Sequence, residues 1–416
     1  MELTAKAFKG IFTPLNNRNL SVYLSGQTIS LLGTFMQATA QSWVVWQISH
    51  STQALGITAM LGALPLLILG PFAGTWADRL DRRKVLIGTQ ITAMILAFIF
   101  AILLQTNLIQ IWHIYILSAV LGCVSAFDMP SQSAFIGDLS GNEQVRGAVA
   151  LNGMVMQASR MVGPALAGWI IGSFGAAPAF WLNGASFITV LLSLVVVRAQ
   201  QVSRPAASKK GGQLGEAFKF VAHAPRILDL LILSFLMTFF GMSSGQLLPA
   251  IVTDTLHSGA EILGVITGAS GAGALVSSFL IAPLVQRIRK PGWIIAGALI
   301  WMGAWFAIEV SAGSVWIWVI GVFFGGLASP VVNITCNGLI QVTAPANMKA
   351  RLLAVWMMVS FGMIPFGYLL VGFSGSLLGA PLAILVNGLA LILGAGALLI
   401  LRPGLRNWQP NTAENK

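Results

Sequence analysis

The chain has 416 residues, of which 56% are hydrophobic and only 8% charged, and its mean hydropathy is +0.83. This composition excludes an ordinary soluble domain and leaves room for about twelve membrane-spanning helices of roughly 20 residues each. The net charge of +11 does not point to nucleic acid, because the basic excess is sorted between apolar runs in the way that sets membrane orientation and meets anionic lipid.

Spans are predicted at about 20–48, 53–77, 85–105, 109–137, 147–172, 178–197, 227–252, 261–285, 293–310, 315–340, 351–372 and 379–401. Lys and Arg occupy the amino-terminal tail, the 78–84 gap, the loop around Arg146, the 198–226 segment, 287–290, 349–351 and the carboxyl tail. The gaps around His50, Thr106, Gly175, His257 and Gly313 contain none. Both termini are therefore expected on the cytoplasmic side of the inner membrane. The first 18 residues lack an apolar core, so no removable signal peptide is expected.

In chain order, the first span places Gln27, Ser30, Thr34, Gln37 and Gln41 at steps of three and four, on one face. A polar stripe is unfavourable in lipid, so that face should line water or another helix. The fourth span carries Asp128, ten residues before Asp138 and so about 15 Å up the helix. The fifth carries Arg160, 14 residues beyond Arg146 and so about 21 Å up the antiparallel neighbour. Charges at that depth are costly unless paired. Either Asp128 binds a proton, with Arg160 or substrate setting its affinity, or the two form a permanent structural pair.

Methionines, Met154 among them in the fifth span and Met357 in the eleventh, suit adaptable apolar binding, although helical packing alone also explains such residues. Ser234 and Thr238 of the seventh span, with Asn333 and Asn337 of the tenth, complete the substrate-cavity candidates. Asp229 and Glu309 are expected at helix interfaces. Cys123 and Cys336, both in apolar runs, exclude a disulfide framework.

The halves echo one another. His50-Ser51 returns as His257-Ser258, Arg82-Arg83-Lys84 weakly as Arg287, Arg289 and Lys290, Arg146 near Arg351, and Asn183-Gly184 as Asn387-Gly388. In this register Asp128 corresponds to Asn333, which cannot titrate. The expected organisation is a six-helix bundle over 1–198, a polar cytoplasmic linker over 199–226, and a second bundle with a cytoplasmic tail over 227–416. Repeats of this kind imply a substrate site at their interface and transport by alternating access.

The segment from Gly74 through Asp78, Arg82 and Arg83 to Lys84 resembles the signature loop of the major facilitator superfamily, except that Asp81 stands where glycine is usual. Arg160-Met-Val-Gly163-Pro164, followed by Gly168, is similar to that superfamily's antiporter motif. With Asp128-Met-Pro130, the resemblance is closest to the group of enterobactin exporters and macrolide efflux pumps, and it covers nearly the whole chain. It implies a latch in which Asp78 caps the eleventh span near residues 350–352 while Arg82 or Arg83 pairs with Asp138; alternatively these charges solvate a turn. Gly163-Pro164 would bend the fifth span against its neighbour.

The function expected is proton-coupled export of an amphiphilic small molecule, a drug or siderophore, by a monomer in contact with membrane lipid. A lysophospholipid flippase not coupled through Asp128 is the alternative within transport. A non-transporting receptor or scaffold is the alternative of another class, but it leaves the polar stripe and the repeat unexplained. No catalytic constellation, metal-ligand cluster or phosphate-binding loop is present in the sequence, so neither an enzyme nor a cofactor is expected. Energy would come from the proton gradient.

Overall fold

The computed structural model describes residues 13–77, 80–197, 213–281 and 290–406, and among them the secondary structure is helical throughout. The helices are α1 (Arg18–Ser49), α2 (Thr52–Ala77), α3 (Arg82–Gln105), α4 (Ile111–Gly141), α5 (142–174), α6 (Ala177–Val196), α7 (Gln213–His223), α8 (Pro225–Thr255), α9 (Ala260–Ile281), α10 (Pro291–Ser311), α11 (Val315–Thr343), α12 (Lys349–Leu378) and α13 (Ala380–Leu401). Ten of the described segments are apolar and long enough to cross a membrane by length and composition. Of the twelve predicted spans, α1 and α5 are the two outside that set. They are the helices that carry the polar stripe and Arg160.

Two expectations about connections need correction. The loop predicted around Arg146 is absent: the helix runs from Ile111 to Phe174 with a single non-helical residue, Gly141, at φ 66° and ψ 169°. Glycine reaches that left-handed φ without a Cβ clash, so one residue suffices to separate α4 from α5. The latter part of the predicted polar linker is also not irregular. Residues Gln213–His223 form a helix whose Ala217 and Val221, one turn apart, are buried. Pro164 sits within helical backbone and does not break α5.

Contacts divide the chain into two compact units, Met1–Ser49 with Leu61–Ala207, and His50–Met60 with Ser208–Lys416. The start of α2 thus joins the second unit. There Gly56 meets the Tyr368 carbonyl and Gly372, and Thr52 Oγ1 donates to the Gly372 carbonyl at 3.0 Å. Absence of side chains at both glycines is what permits such close helix approach.

Within the first unit, α1, α3, α4, α5 and α6 enclose a core of Leu20, Tyr23, Leu24, Leu86, Phe135, Ile136, Leu139, Leu151 and Leu194. A Cβ on Gly163 of α5 would come within 2.7 Å of Phe35 Cβ on α1, so glycine sets the closeness of that crossing. In the second unit α8, the counterpart of the regular α1, departs from α-helical winding. It has wide π-type turns at Met237–Met242 and Ile251–Thr255 and a tight turn at Ser243–Leu247.

The repeat is visible in geometry as well as sequence. His50 and His257 both adopt positive φ, 45° and 47°, and so do Gly175 and Gly379, at 83° and 86°. Asn183 Nδ2 of α6 donates to Gln37 Oε1 of α1 at 2.6 Å, and Asn387 Nδ2 of α13 donates to Ser244 Oγ of α8 at 2.9 Å. Gly122 of α4 faces the Gly62 carbonyl of α2, as Gly326 of α11 faces the Ser270 carbonyl of α9.

Candidate functional site

The polar centre of the first unit is built on Asp128. Its Oδ1 accepts a hydrogen bond from Thr89 Oγ1 at 2.6 Å and another from Gln90 Nε2 at 2.9 Å. Thr89 Oγ1 also lies 3.0 Å from the Leu86 carbonyl one turn back on α3. Asp128 and Thr89 are partly buried, whereas Gln90 is 6% exposed and its Oε1 has no hydrogen-bond partner among the described residues. Tyr23 of α1, fully buried edge-on against Phe135, is the ionisable neighbour from that helix. The carboxylate is therefore supported by two neutral donors from α3.

Sequence reasoning looked to α5 for this support and missed α3. Arg160 lies partly buried on α5 in the same unit. The signal that could have found the donors is the repeat itself: adjacent polar residues at 89 and 90 stand where the second half has Ile294 and Ile295.

Ten residues along α4, Asp138 meets Arg82, whose Nη1 lies 2.7 Å from both carboxylate oxygens. The side chains are 16% and 7% exposed, so this is a shielded pair rather than a solvated one. Arg83 turns elsewhere and donates through Nη2 to the Val195 carbonyl of α6 at 2.9 Å. Asp81 is the N-cap of α3, accepting from the Arg83 and Lys84 amides at 3.0 and 3.4 Å. Its carboxylate satisfies donors that glycine at this position would leave to water. Asp78 lies outside the described residues; Gly74 falls in α2, and Gly163, Pro164 and Gly168 are buried in α5.

The α1 stripe is shared among several neighbours. Gln37 is held by Asn183, Gln41 Nε2 donates to Ser118 Oγ of α4 at 2.8 Å, Gln27 and Ser30 are buried, and Thr34 is exposed. Within the second unit, Ser234 and Thr238 are each 1% exposed, and Ser234 Oγ accepts from Trp356 Nε1 at 3.0 Å. Asn333 Nδ2 donates to the Ser329 carbonyl of its own helix at 3.0 Å, and Asn337 Oδ1 accepts from Gln341 at 2.6 Å. Met154 packs against the core of the first unit, and Met357 is 53% exposed.

Three further acids, Asp229, Glu216 and Glu309, lie within the second unit. Arg402 Nε lies 3.6 Å from Asp229 Oδ1, and Arg351 Nη1 donates to Glu216 Oε2 of α7 at 2.6 Å. Glu309 is 2% exposed and packs on Gly321, an interior position between α10 and α11. No group of three or more metal-ligating side chains occurs among the described residues.

Two related units built from apolar helices long enough to cross a membrane define a polytopic membrane protein. The chain is a member of the major facilitator family described as transmembrane secretion effectors, whose family model matches residues 9–416. An uncharacterised major facilitator-type transporter of Bacillus subtilis is 26% identical over 406 residues, covering 93% of this chain and 92% of the relative. The enterobactin exporter of Salmonella typhi is 26% identical over 414 residues, covering 98% and 94%. A crystal structure of a nucleoside transporter superposes with a TM-score of 0.73 at 12% identity, over 93% of this chain and 99% of that one, and shares the fold.

Proposed function

We propose that the protein is a proton-coupled exporter of an amphiphilic small molecule such as a siderophore or drug, working by alternating access in the cytoplasmic membrane with both termini inside. The observation that carries this reading is the Asp128 carboxylate, partly buried and held by Thr89 and Gln90 at a depth where an idle charge is unfavourable. Similarity along the full chain to a siderophore exporter supports the direction and the substrate class. The energy source is the proton gradient, with Asp128 as the exchanging group and Arg160 as the fixed positive charge of the same unit.

Arg82 and Asp138 fit a gate on the cytoplasmic side, since the pair ties the start of α3 to the end of α4. The substrate would meet the polar and methionine-bearing faces of the helices, Thr34, Asn337 and Met357 among them. Energised inside-out vesicles with an acid interior, carrying a pH-sensitive dye, test the proposal. Catechol siderophores, lipophilic cations and lysolipids are added in turn. A substrate-dependent proton leak that disappears in Asp128→Asn is expected. Lysolipid translocation with no leak for any compound would replace this reading with the flippase.

A further inference from the structure

Phe235, Phe239 and Phe240 of α8 form a cluster that regular helical winding would not assemble. Residues five apart in an α-helix lie about 140° apart round the axis, so Phe240 would point away from Phe235. The wide turn at Met237–Met242 closes its hydrogen bonds over five residues and brings position 240 round. Phe239 stacks on Phe235 with ring centroids 4.9 Å apart and 23° between the planes. Phe240 stands nearly perpendicular to both, its centroid 6.4 Å from Phe235 and 5.0 Å from Phe239.

Neighbouring groups support the turn. Ser243 Oγ donates to the Phe239 carbonyl and Ser244 Oγ to the Phe240 carbonyl, the latter at 2.9 Å. On α12, a Cβ at Gly367 would come within 2.6 Å of the Phe239 carbonyl, so glycine there leaves room for the widened backbone. In the repeat register the places of the three phenylalanines are held in α1 by Thr28, Leu32 and Gly33. The first unit therefore has no such cluster.

All three rings are partly buried, as is Met242. Spans in contact with lipid expose large apolar side chains, as α10 does with Trp301 and Ile308 and α13 with Leu382 and Val386. The span of α8 between Arg226 and Asp254 exposes none. Its exposed residue there is Gly245, beside which lies open space. Gln246, partly buried, follows with an amide that can donate and accept. Open space beside a helix without a lipid-facing ridge, lined by aromatic rings and a polar group, suits a solute.

We propose that Phe235, Phe239 and Phe240 form a recognition platform for a flat aromatic group of the transported molecule. This assignment rests on the reading of the chain as an exporter of amphiphilic molecules, and it names the aromatic subclass. A parallel pair of rings with a third standing across it offers a face and an edge together. An aromatic group gains offset-stacked and edge-to-face contact there in addition to buried area, whereas an alkyl chain gains area alone.

Equilibrium binding to the purified full-length protein in lipid nanodiscs tests this without relying on proton transport. The aryl probes are tetraphenylphosphonium, ethidium and a catechol siderophore, and the alkyl control is tetrabutylphosphonium. Phe235→Leu, Phe239→Leu and Phe240→Leu keep apolar bulk and remove a ring. Each is expected to weaken aryl binding by about five- to tenfold and to leave any alkyl binding unchanged. Phe239→Tyr keeps the ring and should retain the wild-type affinity. The variants are at separate positions, so poor folding of one leaves the others decisive. Equal losses for aryl and alkyl probes would reduce the cluster to apolar lining, and unchanged aryl affinity in all three variants would reduce it to packing. Either result overturns the platform and leaves the export reading intact. Failure of every aryl probe to bind wild type would overturn it too, while the proton leak in vesicles judges the export reading separately.

Discussion

Asp128 and Asn333 occupy corresponding places in the two repeated units, and their hydrogen-bond surroundings differ. The first receives two side-chain hydrogen bonds from α3. The second turns back on its own helix to the Ser329 carbonyl, and the corresponding residues of α10 are Ile294 and Ile295, the latter fully buried. Yet the polar contact joining α6 to α1, Asn183 to Gln37, is kept in the second unit as Asn387 to Ser244. That contact and the close approaches at Gly122 and Gly326 are duplicated, whereas the charged cradle is not. The difference teaches that architecture in this chain is symmetric and the candidate chemistry is confined to one unit.

The largest predicted effect removes that chemistry. Asp128→Asn should lower substrate-dependent proton flux in inside-out vesicles by roughly 100-fold, the scale expected for loss of a positioned proton-transfer group. Monodisperse elution of the variant in detergent would show that folding is retained. Next comes the Arg82–Asp138 pair. Arg82→Ala leaves a shielded carboxylate uncompensated and should cost about 2–3 kcal/mol of stability, read as a lowered thermal midpoint. The reciprocal exchange Arg82→Asp with Asp138→Arg should recover most of that loss.

The duplicated contacts sharpen the comparison from the other side. Asn183→Leu and Asn387→Leu should each destabilise by about 1–2 kcal/mol, because each strands a buried polar partner. Both should leave substrate-dependent proton flux per folded protein unchanged, and unequal behaviour would break the claim that these bonds are structural in both units. The smallest effect is expected at the α3 cap. Asp81→Ala should cost about 1 kcal/mol, the usual value for a lost N-cap, and Asp81→Asn should restore most of it.

Much of this architecture is legible in the sequence because lipid imposes simple rules. Apolar runs of spanning length gave the helices, and the sorted basic residues suggested their orientation. The His-Ser and Asn-Gly echoes gave the repeat, which the paired positive φ values and the Asn183 and Asn387 bonds then display in three dimensions. The resemblance implied that Arg82 or Arg83 pairs with Asp138, and the structure has Arg82 there while Arg83 donates to Val195. Rotation about a helix axis was harder to read. Thr89 and Gln90 sit in an apolar run where nothing in the spacing says which of them faces α4, and here both reach Asp128. Ser234 and Thr238 share a helical face, but that face is buried, with Ser234 bonded to Trp356. The helix Gln213–His223 was hidden by its polar composition, because its buried face needs only small Ala217 and Val221.

The most direct test of the asymmetry places the carboxylate in the other unit. Proton flux is compared in inside-out vesicles for wild type, Asp128→Asn, Asn333→Asp and the double exchange. If the chemistry resides in the Asp128 cradle, the double exchange will be as inactive as Asp128→Asn, because the second unit has Ile294 and Ile295 where the first has Thr89 and Gln90 and so lacks those two donors. Substrate-dependent flux restored by Asn333→Asp in the Asp128→Asn background would contradict the account.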